Sequence, residues 1–384
     1  MATSTVNGDR ITPGAMLAVT HNIRGERRVG CETDVQYDWY GKRLATASTD
    51  CTVRIRDLDE RGEWTIHDGC EIVNAHTGVI CRVAWAHPQF GQVLATCSRD
   101  GSTKIWVENV SASAARRDDD RDITWTRWTR KATLSETRIM VNDVQFAPRH
   151  LGLKLATASA DGNVRVYATD IASMSEWSLA DVFGADHRVQ RQAGVLCISW
   201  CKSRFDLPMM VLGNGAGRVQ IWRHYESLMA WIKVFELKGH DSRPVTGVDW
   251  AEHMGRSFFH VASCGADGTL QVHKIDRRWS DQGEAGGYDV GQSNRFSETQ
   301  GTQITSESLL AQEDPESNAW RVQWDRTGTE LVTCGDDGTV HVWRCDYEEQ
   351  WSRAEDLDEN ACGIGSSCAA AASREEIAAT VTPP

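Results

Sequence analysis

One pattern of residues recurs along this chain of 384 residues. "QVLATCSRDGSTKIW" (92–106), "KLATASADGNVRVY" (154–167) and "TELVTCGDDGTVHVW" (329–343) each read as a strand, a tight turn and a second strand that ends in an aromatic residue. Repeated units of this kind stack on their neighbours and share a continuous core. The repeat therefore predicts one long domain, although the length alone would suggest two or three.

Each unit begins with a short strand in which Val or Ile is followed two residues later by an aromatic residue. This element occurs six times, at spacings of 48, 61, 54, 50 and 74 residues. The six pairs are Val35/Tyr37, Val83/Trp85, Val144/Phe146, Ile198/Trp200, Val248/Trp250 and Val322/Trp324. We therefore predict six units, near 30–75, 79–135, 140–193, 195–239, 244–312 and 318–353, within one domain that spans 15–353.

An acidic residue stands at the start of the tight turn in five of the six units. A short carboxylate there can accept main-chain N–H groups, and a following glycine can supply a positive φ. We interpret these residues as structural turn residues rather than catalytic acids. They are Asp50, Asp100, Asp161, Asp267 and Asp337, whereas unit 4 has Ala216 and unit 1 has Cys51 in place of the glycine.

Four-stranded units with this spacing, an Asp-Gly turn and a final aromatic are typical of WD40 β-propeller blades. The sequence therefore predicts an all-β, six-bladed WD40 propeller, in which many of the 16 Trp fill the seams between blades. We expect structural roles within blades for His76, Trp106, His240 and Trp343. Unit 5 differs because His273 replaces the expected tryptophan.

Composition excludes several classes of function. A net charge of −13 and a pI of about 5.4 argue against direct nucleic-acid binding, which depends on clustered Lys and Arg. No apolar run approaches the roughly 18 residues of a membrane span. The 12 scattered cysteines include no Cys-x-x-Cys pair and favour a reduced intracellular compartment. Cys97, Cys264 and Cys334 occupy matching strand positions, where we expect them to be buried.

Several segments lack strand periodicity. We expect loop insertions at 109–122 and 276–308, a disordered N-terminus at 1–14 and a disordered acidic, Ala/Ser-rich tail at 354–384. Residues 15–22 are a candidate extra strand before unit 1. Residues 347–355 are the candidate outer strand of unit 6.

The sequence contains none of the motifs that mark common catalytic or metal sites. It has no His-Glu-x-x-His, Gly-x-Ser-x-Gly or Walker sequence. The glycines of unit 4 resemble part of a phosphate loop, but a strand follows them instead of the helix that would face a phosphate. We therefore expect no catalytic residues, no cofactor and no metal.

Five stretches are more specific than the WD40 pattern. The chain resembles the family of Sec-thirteen-homologue (Seh) nucleoporins from about residue 34 to residue 351, in matching order. The carrying stretches are "WAHPQFGQVLATCSRDGSTKIW" (85–106), "FAPRHLGLKLATASADGNVRVY" (146–167), "MSEWSL" (174–179), "GRSFFHVAS" (255–263) and "WRVQWDRTGTELVTCGDDGTVHVW" (320–343).

This resemblance implies a non-catalytic scaffold of the nuclear pore, in the Y-shaped outer-ring complex, that supports protein and mRNA transport. It implies an open propeller whose seventh blade position is filled by a helical-solenoid nucleoporin, with other outer-ring nucleoporins as further partners. The residues expected to flank the gap are Met16, Leu17, Val19, Val35 and Tyr37 on one side and Val340, Val342 and Trp351 on the other.

Three alternatives remain at this stage. The same scaffold role occurs in an amino-acid-sensing, coat-like complex at the lysosomal or vacuolar surface. A closed six-bladed ring is also compatible with the sequence, and such a ring could serve as an adaptor that reads peptides at its axial mouth. A propeller enzyme would require ionisable residues from several blades to converge at the axis.

Overall fold

The computed structural model describes residues 30–62, 64–67, 69–109, 127–137, 139–170, 174–184, 194–240, 243–276, 304–310, 319–335, 340–346 and 351–353. These residues form six antiparallel sheets, one for each predicted unit, in a β-propeller. The sheets follow the chain, so each is built from consecutive strands that we number first to fourth from the axis outward. The fold class and the number of units predicted from the repeat are confirmed.

The strands of units 1 to 3 are short and regular. In unit 1 they are Glu32–Tyr37, Arg43–Ser48, Val53–Leu58 and Trp64–Thr65, with an added short strand Glu71–Ile72 that also pairs with the third. In unit 2 they are Ile80–Trp85, Val93–Ser98, Thr103–Glu108 and Trp128–Leu134. In unit 3 they are Val141–Phe146, Lys154–Ser159, Asn163–Ala168 and Ser178–Gly184.

Units 4 to 6 repeat the same order. In unit 4 the strands are Val195–Trp200, Met209–Asn214, Val219–Tyr225 and Ala230–Leu237. In unit 5 they are Val245–Trp250, Phe258–Gly265, Thr269–Asp276 and Ile304–Leu310. In unit 6 they are Ala319–Trp324, Glu330–Gly335, Val340–Cys345 and Trp351–Arg353. Two short 3-10 helices, Pro88–Phe90 and Arg149–Leu151, lie between the first and second strands of units 2 and 3.

One predicted boundary is wrong. The insertion expected at 276–308 ends earlier, because Ile304–Leu310 pairs with Thr269–Asp276 as the fourth strand of unit 5. An outer strand is held mainly by main-chain hydrogen bonds and does not need the apolar alternation of a core strand. The rest of that insertion, most of the insertion at 109–122, the candidate strand at 15–22 and the two terminal segments lie outside the described residues.

All six first strands contain a register shift at the same place, after their first residue. The extra residue of such a bulge is directed away from the regular ladder. In units 1, 3 and 5 its side chain donates a hydrogen bond to a main-chain carbonyl of the next unit. The pairs are Thr33 Oγ1 to Ile80 O (2.7 Å), Asn142 Nδ2 to Val195 O (2.7 Å) and Thr246 Oγ1 to Ala319 O.

The turn acids form local hydrogen-bond networks. Asp100 Oδ1 accepts the main-chain N–H of Ser102 at 2.9 Å, and Asp161 and Asp267 bind the equivalent N–H groups of Asn163 and Thr269. Asp50 does the same with Thr52 in unit 1. Cys51 takes the position of the turn glycine with a φ of 64°. Asp337 lies outside the described residues.

In unit 4, which has no turn acid, an asparagine at the end of the second strand takes over. Asn214 Oδ1 accepts the N–H groups of Ala216 at 3.1 Å and Arg218 at 2.9 Å. The turn is therefore preserved by a residue two positions before the one that carries the turn acid in the other units.

Unit 2 contains a buried network that links its turn to its third strand. His76 Nδ1 lies 3.2 Å from Asp100 Oδ2, and His76 Nε2 lies 2.8 Å from Thr96 Oγ1. The same hydroxyl accepts the indole N–H of Trp106 at 3.0 Å. Because a buried polar group without a partner is costly, the network fixes the packing of these side chains.

Related contacts occur in units 5 and 6. His240 lies 3.0 Å from Asp267 Oδ1 and 3.0 Å from Ser263 Oγ in unit 5. In unit 6 the indole N–H of Trp343 donates to Thr333 Oγ1 at 3.2 Å. These contacts lie inside single units, as the predicted structural roles require.

Candidate partner-binding seam between units 6 and 1

In each of units 1 to 5, one face of the sheet is covered by the next unit. Four alternating positions of the second and third strands on this face are buried in every one of these units. Val53 and Ile55 of unit 1, for example, share a core cluster with Leu94 and Trp106 of unit 2. The buried sets are Ala45, Ala47, Val53 and Ile55; Ala95, Cys97, Thr103 and Ile105; Ala156, Ala158, Val164 and Val166; Val211, Gly213, Val219 and Ile221; and Ala262, Cys264, Leu270 and Val272.

Unit 6 differs at all four of these positions. Val332, Cys334, Val340 and Val342, which we call the unit 6 row, are only partly buried. The sheet pairings that hold them match those of the other units, so the sheet itself does not cause the exposure. What differs is the cover, because none of the sheets that the structure describes packs fully over this row. The expectation that Cys334 would be buried like Cys97 and Cys264 is correspondingly wrong.

The facing side of unit 1 is uncovered as well. Val35 is half-buried, whereas the matching residue is buried in every other unit. Tyr37 is 55% exposed, although Trp200, Trp250 and Trp324 at the same position are almost fully buried. Its ring lies beside Trp64 of its own unit, with 5.6 Å between centroids. Apolar and aromatic surface therefore lines both sides of the seam between units 6 and 1.

Three of the five closed seams share a pair of hydrogen bonds around one tryptophan. The partner of this tryptophan is a residue of the preceding unit, the one just before the aromatic residue of the first strand. The main-chain N–H of the tryptophan donates to the side chain of that residue, and the indole N–H donates to its carbonyl. Trp85 binds Gln36 in this way at 2.7 and 3.1 Å, and Trp200 binds Gln145 at 2.8 and 3.3 Å. Trp324 binds Asp249 at 2.9 and 3.2 Å.

Unit 6 presents an equivalent residue, Gln323, but its side chain is exposed. Among the described residues, the hydrogen bonds found across this seam come from two arginines. Arg321 Nη2 lies 2.6 Å from Asp34 Oδ1 near the axis. Arg326 donates to the carbonyl of Trp39, and its guanidinium carbon lies 4.5 Å from the centroid of the Trp39 ring. The ring is therefore joined at its inner end and at one rim, while the sheet faces between them remain apart.

Four of the predicted gap residues flank this seam. Val35 and Tyr37 lie on its unit 1 side, and Val340 and Val342 belong to the unit 6 row. Their main-chain groups pair within their own sheets, Val35 with Thr46 and Val342 with Val332. On the described residues, the seam is therefore a space between two sheet faces whose strands are already paired. A further sheet would fit it by packing on both faces.

Trp351 requires a correction. Its ring packs on the opposite side of unit 6, 5.4 Å from the ring of Trp324 and 6.0 Å from that of His260 in unit 5. It belongs to the closed seam between units 5 and 6, because alternate residues of a strand point to opposite faces. Met16, Leu17 and Val19 lie outside the described residues.

The axial end of the seam is charged. Arg82 lies between two buried carboxylates, 3.4 Å from Asp34 and 3.7 Å from Asp143. Burial raises the pKa of Asp143, although Arg82 opposes this rise. Asp143 also accepts the main-chain N–H of Ile198 at 2.9 Å, so its carboxylate joins unit 3 to unit 4. Alternating charges thus link units 6, 1, 2 and 3 around the axis.

The thiols near the axis are buried and protonated. Burial raises the pKa of Cys264 to about 12 and raises the pKa of Cys97 and Cys197 well above the usual value. A thiol in this state is a poor nucleophile and a poor metal ligand. Within the described ranges, no group of three or more His, Cys, Asp or Glu side chains is arranged to hold a metal ion. The described helices include none that is long and apolar enough to cross a membrane.

Sequence reasoning missed several residues of the seam, namely Arg321, Gln323, Val332 and Cys334. The signal for Gln323 was present, because a polar residue precedes the aromatic in five of the six first strands. The signal for Val332 and Cys334 lay in the alternation of the second strand, which places them on the same face as Val340 and Val342.

Comparison with known proteins agrees with this architecture. The family model described as WD domain, G-beta repeat matches residues 70–107, 231–274 and 308–344. Nucleoporin SEH1 of Xenopus tropicalis is 35% identical over 344 residues, which cover 87% of this chain and 87% of the relative. Nucleoporin SEH1 of Homo sapiens is 33% identical over 358 residues, 91% of each chain, and that of Danio rerio is 35% identical over 328 residues, 83% and 82%.

These alignments cover 83% to 91% of the chain. They agree with the repeat, the propeller and the resemblance found in the sequence. This chain therefore belongs to the SEH1 nucleoporin family of WD40-repeat β-propeller proteins.

Proposed function

We propose that this protein is a non-catalytic scaffold subunit of the nuclear pore that receives a β-sheet blade from another polypeptide between units 6 and 1. The observation that carries the proposal is the partial exposure of the unit 6 row at four positions that are buried in all five other units. Exposed apolar surface of this kind on a folded protein marks an interaction site.

A sheet is the form of partner that fits both sides of the seam. One face of an inserted sheet would cover the unit 6 row, and its other face would cover Val35 and Tyr37. Completing the burial of each partly buried valine would contribute at most about 1 kcal/mol, and the aromatic ring would contribute more. The interface would be large and apolar, as in a permanent assembly.

The names of the relatives indicate where this scaffold acts. They are nucleoporins, which supports a place at the nuclear pore for this chain and a part in nucleocytoplasmic transport. The family resemblance favours a helical-solenoid nucleoporin of the outer-ring Y complex as the blade donor. The relatives' names give no support to the alternative of a coat-like complex at the lysosome or vacuole.

Site-specific photo-crosslinking tests this function. A benzophenone amino acid is placed at Tyr37 or at Val340 in the full chain, and the crosslinked products from its own cells are identified. We expect both positions to capture one and the same polypeptide. Met229, an exposed residue in unit 4, is the matched control and should not capture it. Crosslinks that join only position 37 to position 340 within one chain would show a self-closed ring and contradict the proposal.

A further inference from the structure

The closed seams reveal what each unit requires from the unit that follows it. In three of the five closed seams, the first strand of one unit carries a Gln or Asp, and the first strand of the next unit ends in a tryptophan that binds it. Gln36, Gln145 and Asp249 each bind both the main-chain N–H and the indole N–H of that tryptophan. The geometry is repeated to within a few tenths of an ångström.

The two remaining seams show that the match depends on the accepting side chain. At the seam between units 4 and 5, Ser199 Oγ accepts the main-chain N–H of Trp250 at 3.0 Å. At the seam between units 2 and 3, the position holds Ala84, which has no acceptor, and the next unit offers Phe146, which has no ring N–H. In the four closed seams where this position is polar, the next unit therefore supplies a tryptophan. In the one seam where it is alanine, the next unit supplies a phenylalanine.

Unit 6 carries Gln323 at this position, so it has the same acceptor groups that bind a tryptophan in the seams after units 1 and 3. The next unit in the ring does not provide one, since unit 1 has Tyr37. Tyr37 is 55% exposed and Gln323 is exposed, so the two do not form the buried contact seen elsewhere. Unit 6 thus carries the accepting glutamine of a closed seam, while unit 1 has a tyrosine in place of the matching tryptophan.

On the basis of the proposed function, we infer that the donated blade begins with a strand that carries a tryptophan opposite Gln323. The main-chain N–H of this tryptophan donates to Gln323 Oε1, and its indole N–H donates to the Gln323 carbonyl. The partner is therefore a β-sheet segment of another polypeptide, distinguished by this residue from other apolar strands.

Physical chemistry favours tryptophan at this place over the other aromatic residues. The indole N–H lies on the side of the ring and can reach a carbonyl at the base of the seam while the ring covers apolar surface. Phenylalanine would leave the Gln323 carbonyl buried without a donor, and a buried unpaired polar group is costly. The hydroxyl of tyrosine lies at the far end of its ring, away from that carbonyl.

The test uses the full chain together with the polypeptide that crosslinks to both Tyr37 and Val340. A benzophenone amino acid at position 323 should crosslink to the same polypeptide, at or next to a tryptophan in a predicted strand. Substitution of that tryptophan by Phe should speed dissociation of the purified complex about fivefold to tenfold, which is the effect of one lost hydrogen bond. Gln323→Ala should have an effect of similar size.

Gln323→Glu is the matched control, because it keeps an oxygen acceptor of the same length, and it should dissociate like the natural chain. A donor that inserts between units 6 and 1 without a tryptophan opposite position 323 would overturn this inference and leave the proposed function standing. Unchanged dissociation of Gln323→Ala would overturn it as well. Failure to find a common partner at positions 37 and 340 would instead overturn the proposed function, and this inference with it.

Discussion

The guanidinium of Arg321 in unit 6 lies 2.6 Å from the carboxylate of Asp34 in unit 1. This ion pair joins the two ends of the propeller at the axis, where Asp34 is buried and also contacts Arg82 and the main-chain N–H of Val83. Similar axial ion pairs occur between units 1 and 2 and between units 2 and 3, but those seams are closed by apolar packing as well. The open seam is therefore a cleft with a fixed inner end, and an inserted sheet would enter it from the outside.

Loss of this tie should weaken the fold. Arg321→Ala removes one of the two arginines that contact Asp34. We expect the free energy of unfolding to fall by about 1 to 2 kcal/mol. The loss is smaller than for a fully buried pair because Arg82 still contacts Asp34. Urea denaturation of the isolated chain measures it. Arg344, which pairs with Glu330 at 2.7 Å on the surface of unit 6, is the control, and Arg344→Ala should cost at most about 0.5 kcal/mol. Equal losses for both variants would show that the axial pair has no special role.

The same substitution should have opposite consequences in a closed and an open seam. Val166 of unit 3 and Val342 of unit 6 occupy equivalent positions, but Val166 is buried against unit 4. Val166→Asp buries a charge and should cost more than about 4 kcal/mol, enough to unfold the chain. Val342→Asp should cost about 1 kcal/mol or less in the isolated chain and should abolish capture of the blade donor. Circular dichroism with thermal melting, followed by co-purification, separates the two effects.

If Val342→Asp unfolded the isolated chain as completely as Val166→Asp, the row on unit 6 would be covered within the chain. The cleft would then be closed. The proposed function requires the two variants to differ.

The network of unit 2 should depend on one hydroxyl. Thr96 Oγ1 contacts both His76 and Trp106, so Thr96→Val removes the partner of two buried polar groups. We expect a loss of about 2 to 4 kcal/mol in the free energy of unfolding. Thr157, the matching residue of unit 3, lies beside Tyr167 instead of a His–Trp pair, and Thr157→Val should cost roughly half as much. A loss at position 96 no larger than at position 157 would contradict the network's importance.

Stability should fall in mild acid. Burial lowers the pKa of His76 from 6.5 to about 4, although Asp100 opposes the shift, and burial lowers the pKa of His273 to about 3. Since the unfolded chain binds protons more readily, stability is lost as the pH drops below about 6.5, by up to about 1.4 kcal/mol per pH unit for each histidine. Asp100 does not titrate in this range. Burial alone would raise its pKa, but the hydrogen bonds from Ser102 outweigh burial and hold the pKa well below its usual range.

Urea denaturation between pH 7.5 and pH 4.5 checks this dependence. The free energy of unfolding should be nearly constant above pH 7 and should decline steadily below 6.5. A constant free energy of unfolding down to pH 4.5 would mean that folding does not lower the pKa values of these histidines.

The repeat predicted the fold because each unit carries its own local signals. The aromatic at the end of the first strand and the turn acid are set by short-range geometry, and alignment of six copies exposes them. Asp50, Asp100, Asp161 and Asp267 all form the expected turns. The fourth strand of unit 5 was missed because an outer strand needs no apolar pattern.

The seam was harder to predict than the units. Its residues are ordinary for their positions, and only the missing cover distinguishes Val340 from Val164 or Val53. Exposure of this kind is a property of the assembled ring, which no single unit encodes. Trp351 was assigned to the wrong face because a strand of three residues, Trp351–Arg353, is too short for its alternation to be read from sequence.

The most direct test of the open seam is a structure of the complex purified from the organism through a tag on this chain. At a resolution that separates strands, the account predicts a β-sheet of another polypeptide between the unit 6 row and Tyr37, with six sheets from this chain around it. A map in which Tyr37 packs directly on Val342, with no foreign strand between units 6 and 1, would contradict the account.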